Sequence, residues 1–431
     1  MTEITATTPR LIVGPDDPAL DTTLRVRISE LAPEAAISIR ASQVDGQGRV
    51  MVAEAGFVAD AAGTVDTGQI SPVSGSYTGI EPMGLIWSMR PDGATGARPA
   101  HPLGPVTTRF EVTLDGVPVA ATDIARHRVP RGVVREAVHV DGLVGVLYRG
   151  AAGHARPGVV LLGGSEGGLH EVDAALMAGH GLTVLALAYF GMPGVPKDLV
   201  SIPLEYFDRA IEWLLGQETV TGATVGVIGG SRGGEAAMLI ASGNERVGAV
   251  VSTVGSGVLT QGIQLDGPLA QVLAHRVPSW TRGGVPLPFL PNTVGPDLQA
   301  QIDAGVPVDL ARAFPVDDEA ALAELAIPIE RIRGPILLFS AGDDRGWPST
   351  RLSDVAVVRA HAHVREDIEH VVFPEAGHAI APPPYGPTTE LEGPGPGVTF
   401  AVGGTPAANA AAREVAWNQS IRFFLRHLGG R

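Results

Sequence analysis

The chain has 431 residues, 45% of them hydrophobic and 18% charged, and a formal net charge of −15 at pH 7. That length exceeds the size at which a single hydrophobic core usually stops growing, so two domains are expected. The acidic balance argues against nucleic acid as the main partner, because a phosphate backbone demands clustered Lys and Arg. An anionic substrate stays open, since a local field is independent of net charge. With no cysteine anywhere, disulfides, thiolate metal sites and a Cys nucleophile are excluded.

The opening residues, MTEITATTPR, lack the basic-then-apolar pattern of a secretory leader. The closing HLGGR matches no simple sorting signal. No run of about 18 apolar residues predicts a membrane span. A cytoplasmic protein with no membrane partner is the expectation.

From about residue 10 to 130, short runs alternate apolar and polar residues between turn clusters: Leu24–Ile28, Ala36–Ala41, Val50–Ala53, and Phe110–Leu114 before Asp115-Gly116. A period of two at this spacing predicts a small antiparallel, immunoglobulin-like β-sandwich over residues 1–130. Arg126–Arg135 reads as the connection to a second domain over residues 131–431.

From about 143 the texture becomes strand–helix alternation. Leu143–Tyr148, Gly158–Leu162, Thr183–Ala188, Val225–Ile228, Val247–Ser252, Ile336–Ser340 and Val371–Phe373 read as strands, most of them continuous apolar runs. His170–His180, Leu204–Leu215, Arg232–Ala241 and Ala411–His427 read as helices. Buried strands alternating with helices predict an α/β domain with a mainly parallel sheet covered on both faces. Residues 256–330, with several Pro and Gly and no clear strand, form an insertion expected to bound a substrate pocket.

The strongest local signal is GVIGGSRGGEAAML, from Gly226 to Leu239, where a buried strand meets Gly229-Gly230-Ser231-Arg232-Gly233-Gly234 and then an Ala-rich helix. This is the G-x-S-x-G elbow of α/β-hydrolases: glycines let strand and helix approach, and the Ser hydroxyl stands clear at a helix N-terminus. In such folds an acid and then a His follow the Ser in chain order. Asp343-Asp344 follows the strand Ile336–Ser340, and His378 follows Val371–Phe373. Asp344 is favoured over Asp343 because Trp347-Pro348 follows it at turn spacing. The other candidates His361, His363 and His370 have no such context. The oxyanion hole is expected from the N–H of Arg232 and of Ser165 or Glu166 in the loop Gly163–Gly168. That loop lacks the Lys-Ser/Thr ending of a P-loop. G-x-G-x-x-G and H-E-x-x-H are also absent, so no cofactor and no metal is expected.

With these residues in view, the chain resembles the acyl-CoA thioesterases related to bile acid-CoA:amino acid N-acyltransferase, over nearly its whole length. The passages that carry the resemblance are GSYTGIEPMGLIWSM (Gly75–Met89), LALAYFGMPG (Leu185–Gly194), PLEYFDRAIEWLL (Pro203–Leu215), GSRGGE (Gly230–Glu235) and Gly377-His378. The resemblance implies an N-terminal β-sandwich before an α/β-hydrolase domain, with the triad on Ser231, Asp344 and His378. It looks most like bacterial members. The amino-acid-conjugating branch carries Cys at the nucleophile position, so Ser231 favours attack by water. The expected activity is thioesterase on a small-molecule acyl thioester. The alternatives are acyl transfer or lactone or ester formation on the same residues, ester or peptide hydrolysis, and a non-catalytic binding protein. Oligomeric state is not read from the sequence.

Overall fold

The structure, a computed structural model, describes residues 8–151 and 154–429. The readings of the two chain ends rest in part on residues 1–7 and 430–431, which lie outside the described residues. The chain divides into two compact units. One takes in the chain up to Arg131 together with Pro383–Glu390, and the other takes in Gly132–Pro382 and Leu391 onward.

The first unit is all-β. Arg10–Gly14, Arg25–Ser29 and Val65–Asp66 form a three-stranded antiparallel sheet. Ser74–Gly75, Arg49–Val58, Ala36–Val44, Val106–Leu114 and Val117–Arg126 lie in that order in a second sheet, and Arg90–Thr95 also pairs with Arg49–Val58. Alternation sets the inward face, since strand side chains switch sides at every residue. Ile37, Ile39 and Ala41 are buried, and the register places them opposite Phe57, Ala55 and Ala53. Val117–Arg126 gives no such pattern in the sequence because among its ten residues only Ile124 and Arg126 are buried.

Pro383–Glu390 belongs to this unit although the sequence reading placed it wholly in the second domain. Arg126, fully buried, donates to the Tyr385 carbonyl at 2.8 Å and to Gln43 Oε1 at 3.2 Å. The Tyr385 hydroxyl is 2.7 Å from Thr23 Oγ1, Thr388 N–H donates to the Trp87 carbonyl at 3.0 Å, and Arg49 grips Glu390 through two bonds of 2.6 and 2.8 Å. These partners are hundreds of residues earlier, so no local pattern announces them.

The second unit is built on eight strands: β1 Val133–Val140, β2 Leu143–Gly150, β3 Arg156–Leu162, β4 Thr183–Ala188, β5 Val220–Gly230, β6 Val247–Thr253, β7 Ile336–Ala341 and β8 Ile368–Phe373. Their order is β1-β2-β4-β3-β5-β6-β7-β8. The β1–β2 and β2–β4 pairs are antiparallel and every later pair is parallel. Every residue of β4 and β7 is buried, as a sheet covered on both faces requires. β1 has no sequence signature: it is an edge strand, and only Val138 is buried.

Five helices accompany the sheet: α1 Glu171–Gly179, α2 Leu204–Leu215, α3 Arg232–Gly243, α4 Ser349–Ala362 and α5 Pro406–Leu428. In α2, Leu204, Phe207, Ile211 and Leu214 recur at three- and four-residue steps and are all buried. α4 is absent from the sequence reading, because Ser349 and Ser353 share its buried face with Leu352, Val355 and Ala356 and blur the apolar stripe. α5 starts earlier than expected, at Pro406, where Thr405 Oγ1 accepts the Ala408 N–H at 3.2 Å and Pro occupies the first turn. Residues 256–330 are not featureless: they hold the helices Leu269–Ala274, Pro296–Ala304 and Glu319–Glu324, and the short strands Trp280–Arg282 and Val285–Pro286. Among the described residues no helix is long and apolar enough to cross a membrane.

Candidate active site

Ser231 occupies the junction between β5 and α3 with φ 53° and ψ −119°. Positive φ is strained for a residue with a Cβ and persists only where the surroundings impose it. Here they do. A Cβ on Gly229 would lie 2.3 Å from the carbonyl carbon and oxygen of Gly233, and one on Gly233 would lie 2.5 Å from the Gly163 oxygen. Only glycines allow strand, helix and the loop after β3 to pass this closely. Ser231 N–H donates to the Thr253 carbonyl at 2.8 Å, and the Ser231 carbonyl accepts the N–H of Gly234 at 2.9 Å. With the backbone so held, the Ser231 side chain stands at the start of α3.

His378 Nε2 lies 3.0 Å from Ser231 Oγ, and His378 Nδ1 lies 2.9 and 3.0 Å from the two carboxylate oxygens of Asp344. Asp344, whose side chain is 1% exposed, also accepts the N–H groups of Gly346 at 2.9 Å and Trp347 at 3.2 Å. Burial lowers the basicity of His378, but the Asp344 charge and hydrogen bond outweigh it, and Glu166 adds to the rise, so its pKa is raised. Asp343 points elsewhere: its Oδ2 accepts the Gly404 N–H at 2.8 Å and its Oδ1 pairs with Arg345. The His loop is fixed by its own backbone, with Gly377 N–H on Asn409 Oδ1 at 2.7 Å and His378 N–H on the Val402 carbonyl at 2.8 Å.

The sequence reading missed a charged network beneath the elbow. Arg232 turns its side chain away from Ser231 and donates to Glu235 Oε2 at 2.8 Å and to the Gln261 carbonyl at 3.1 Å. Glu235, fully buried, accepts from Thr260 Oγ1 at 2.6 Å and Trp280 Nε1 at 2.8 Å. Burial pushes its carboxyl upward, and Arg232, Thr260 and Trp280 offset part of that rise. The signal was present: an Arg and a Glu three residues apart in an Ala- and Gly-rich helix have no apolar partner to explain them. Thr260, Gln261 and Trp280 come from the 256–330 segment, which thereby braces α3. None of its residues lines the cavity at Ser231, contrary to the expectation that it bounds the pocket.

That cavity has a volume of about 260 Å³. Leu161 and Leu162 at the end of β3, Ile228 on β5, Met177 on α1 and Trp417 on α5 form much of its apolar wall. The Arg232 N–H sits in the first turn of α3, where a helix leaves its N–H groups without intrahelical acceptors. In the loop after β3, Gly164 and Glu166 line the cavity and Ser165 does not, and the side chains of both Ser165 and Glu166 are exposed to solvent. Gly164 N–H donates to Glu166 Oε1 at 3.1 Å. The arrangement can therefore hold a hydroxyl against an imidazole whose far nitrogen is pinned by a carboxylate, next to backbone N–H groups suited to a developing negative charge.

The sheet order, with helices on both faces, defines an α/β-hydrolase preceded by a small all-β unit. Comparison with known proteins narrows the class. Residues 21–140 match the family described as "Acyl-CoA thioester hydrolase/BAAT N-terminal region", and residues 202–430 match "BAAT / Acyl-CoA thioester hydrolase C terminal". Acyl-coenzyme A thioesterase 2, mitochondrial, of Homo sapiens is 31% identical over 425 residues, covering 95% of this chain and 82% of its own length. Acyl-coenzyme A thioesterase 3 of Mus musculus is 33% identical over 440 residues, covering 98% and 95%. Peroxisomal succinyl-coenzyme A thioesterase of Mus musculus is 31% identical over 423 residues, covering 95% and 94%. The chain belongs to the acyl-CoA thioester hydrolase/BAAT family of enzymes.

Proposed function

We propose that this enzyme hydrolyses acyl thioesters of coenzyme A through Ser231, His378 and Asp344. Ser231 Oγ attacks the thioester carbonyl while His378 Nε2 takes its proton, and Asp344 stabilises the imidazolium that forms. The tetrahedral oxyanion rests on the Arg232 N–H and a second N–H from the loop after β3. Collapse breaks the C–S bond, and His378 returns the proton to the leaving thiolate. A water molecule, deprotonated by His378, then attacks the acyl-serine ester and releases the carboxylic acid and Ser231.

The observation that carries this reading is the unbroken line of hydrogen bonds from Ser231 Oγ through His378 to Asp344, at 3.0 and 2.9 Å. Acyl transfer to an amine or hydroxyl uses the same residues. The oxygen ester on Ser231 favours water, because it is less activated toward amines than a thiol ester would be.

The experiment is a panel of acyl-CoAs of increasing chain length, with and without amine acceptors, on the wild type and Ser231→Ala. Thiol release with free acid as product, lost in the variant, is the expected result. Failure to release thiol from any acyl-CoA, by protein that still cleaves an activated ester through Ser231, overturns the coenzyme A assignment. An amide product in the presence of amine replaces hydrolysis with transfer.

A further inference from the structure

Three polar side chains share the Ser231 cavity with its apolar wall and have no task in the hydrolytic cycle. They are Glu166 in the loop after β3, and His170 and Asp173 at the start of α1. Glu166 Oε1 lies 2.7 Å from His170 Nε2, and Asp173 Oδ2 lies 3.6 Å from His170 Nδ1. Both ring nitrogens of His170 thus face carboxylates. Burial opposes its charged form, but Asp173 and Glu166 outweigh that and raise its pKa to about 10. Two carboxylates against one imidazolium leave a net negative charge beside the nucleophile, and the Glu166 charge reaches as far as His378.

We propose that this cavity selects acyl groups bearing a hydrogen-bond donor, a hydroxyl or an ammonium near the carbonyl, with Glu166 as the specificity-determining acceptor. The proposal rests on the acyl-thioesterase reading and adds a substrate class to it. A plain alkanoyl chain filling the cavity displaces water from the cavity side of the Glu166 carboxylate and returns no donor there, although the outer side of that carboxylate stays open to solvent. A hydroxyl or ammonium replaces that water. A carboxylate-terminated chain meets like charge from Glu166 and Asp173. Sites with a built-in polar partner discriminate strongly against analogues that lack the matching group. The cavity, about 260 Å³, lies below the roughly 300–1,000 Å³ of drug-sized ligand pockets, in keeping with a short acyl group.

The test uses coenzyme A thioesters of butyrate, 3-hydroxybutyrate, β-alanine and succinate with the wild type, Glu166→Gln and Glu166→Leu. In the wild type, kcat/KM for the hydroxybutyryl and β-alanyl substrates exceeds that for butyryl by about tenfold or more, and succinyl is poorest. Glu166→Leu reverses the order of butyryl and hydroxybutyryl, mainly through KM. Glu166→Gln keeps part of the hydroxyl preference and loses the ammonium preference. A wild type that takes butyryl as well as hydroxybutyryl, or a preference that survives Glu166→Leu, overturns the proposal. If no acyl-CoA is cleaved, the p-nitrophenyl esters of butyrate and 3-hydroxybutyrate carry the same comparison, so failure of the coenzyme A reading stays distinct from failure of the selectivity. Thermal unfolding of each variant separates lost selectivity from lost fold, and Glu166→Gln, nearly isosteric, serves if Glu166→Leu does not fold.

Discussion

Asp344 holds His378 with both carboxylate oxygens, 2.9 and 3.0 Å from Nδ1, while its Oδ1 is itself fixed by the Gly346 and Trp347 N–H groups. The carboxylate cannot turn away without losing backbone bonds, so its charge is committed to the imidazole. This makes the pH profile a direct readout of the pair. In the proposed cycle His378 must be neutral to accept the Ser231 proton. Its pKa is raised above the ordinary value by Asp344 against the opposing effect of burial. The acidic limb of kcat/KM on an activated ester should therefore lie above pH ~6.5, activity falling as pH drops through it. Asp344→Asn removes the main raising influence and leaves burial opposed by Glu166 alone, so the limb moves to lower pH. The same change lowers kcat by roughly 10³–10⁴ through loss of the correct tautomer. An acidic limb unmoved by Asp344→Asn would assign the titration to another group.

Beneath Ser231, Arg232 and Glu235 form an ion pair whose side chains are 5% and 0% exposed. Removing one partner strands the other charge in the core. Glu235→Ala and Arg232→Ala should each lower unfolding free energy by roughly 3–5 kcal/mol, whereas an Arg232→Met/Glu235→Leu double variant recovers much of the loss. Urea melts of the three proteins decide it. Equal losses in singles and double would mean that packing, not charge, is what the pair supplies.

The elbow glycines can be tested by adding one methyl. At Gly229 a Cβ would meet backbone atoms of Gly233 at 2.3 Å, and backbone has no rotamer with which to yield. Gly229→Ala should cost roughly 3 kcal/mol or more, at or beyond the usual overpacking range, and should lower kcat by misplacing Ser231. At Gly222, which lies at positive φ but has nothing within 4 Å, the same change should cost only its backbone strain and leave kcat unaltered.

The Pro383–Glu390 strap leads to a fourth expectation. Arg126→Met removes the guanidinium that bonds the Tyr385 carbonyl and Gln43 Oε1, so each acceptor loses one donor, Gln43 Oε1 keeping that from Thr108 Oγ1. A loss of about 2–4 kcal/mol follows. Limited proteolysis should cut the 383–390 stretch in the variant under conditions that spare the wild type. Unchanged protection would show that Arg49–Glu390 and the Thr388 bond hold the strap without Arg126.

The parts of the molecule legible in the sequence share a physical trait. β4, β7 and α2 were read within a residue or so of their bounds because they are buried runs or clean stripes, and burial writes itself into composition at short range. Where burial is one-sided or mixed, the signal fails. β1 exposes nearly its whole length, and α4 buries serines beside leucine and valine.

Chain order and residue type determined a great deal here by themselves: a Ser between a strand and a helix, flanked by glycines, then an Asp and a His after later strands. Those are local facts, set by what each turn tolerates. Turn spacing favoured Asp344 over Asp343, and the tertiary structure supplies the reason their directions differ: Asp344 faces His378 while Asp343 is taken by the Gly404 N–H. Tertiary structure alone sent the 256–330 segment to brace Arg232 and Glu235 and not to line the cavity. It alone brought Glu166, His170 and Asp173 into the space beside Ser231. The reason is range. Propensity and periodicity act over one turn or one strand, whereas a hydrogen bond between residues 34 or 147 positions apart exists only once the whole sheet has placed both ends.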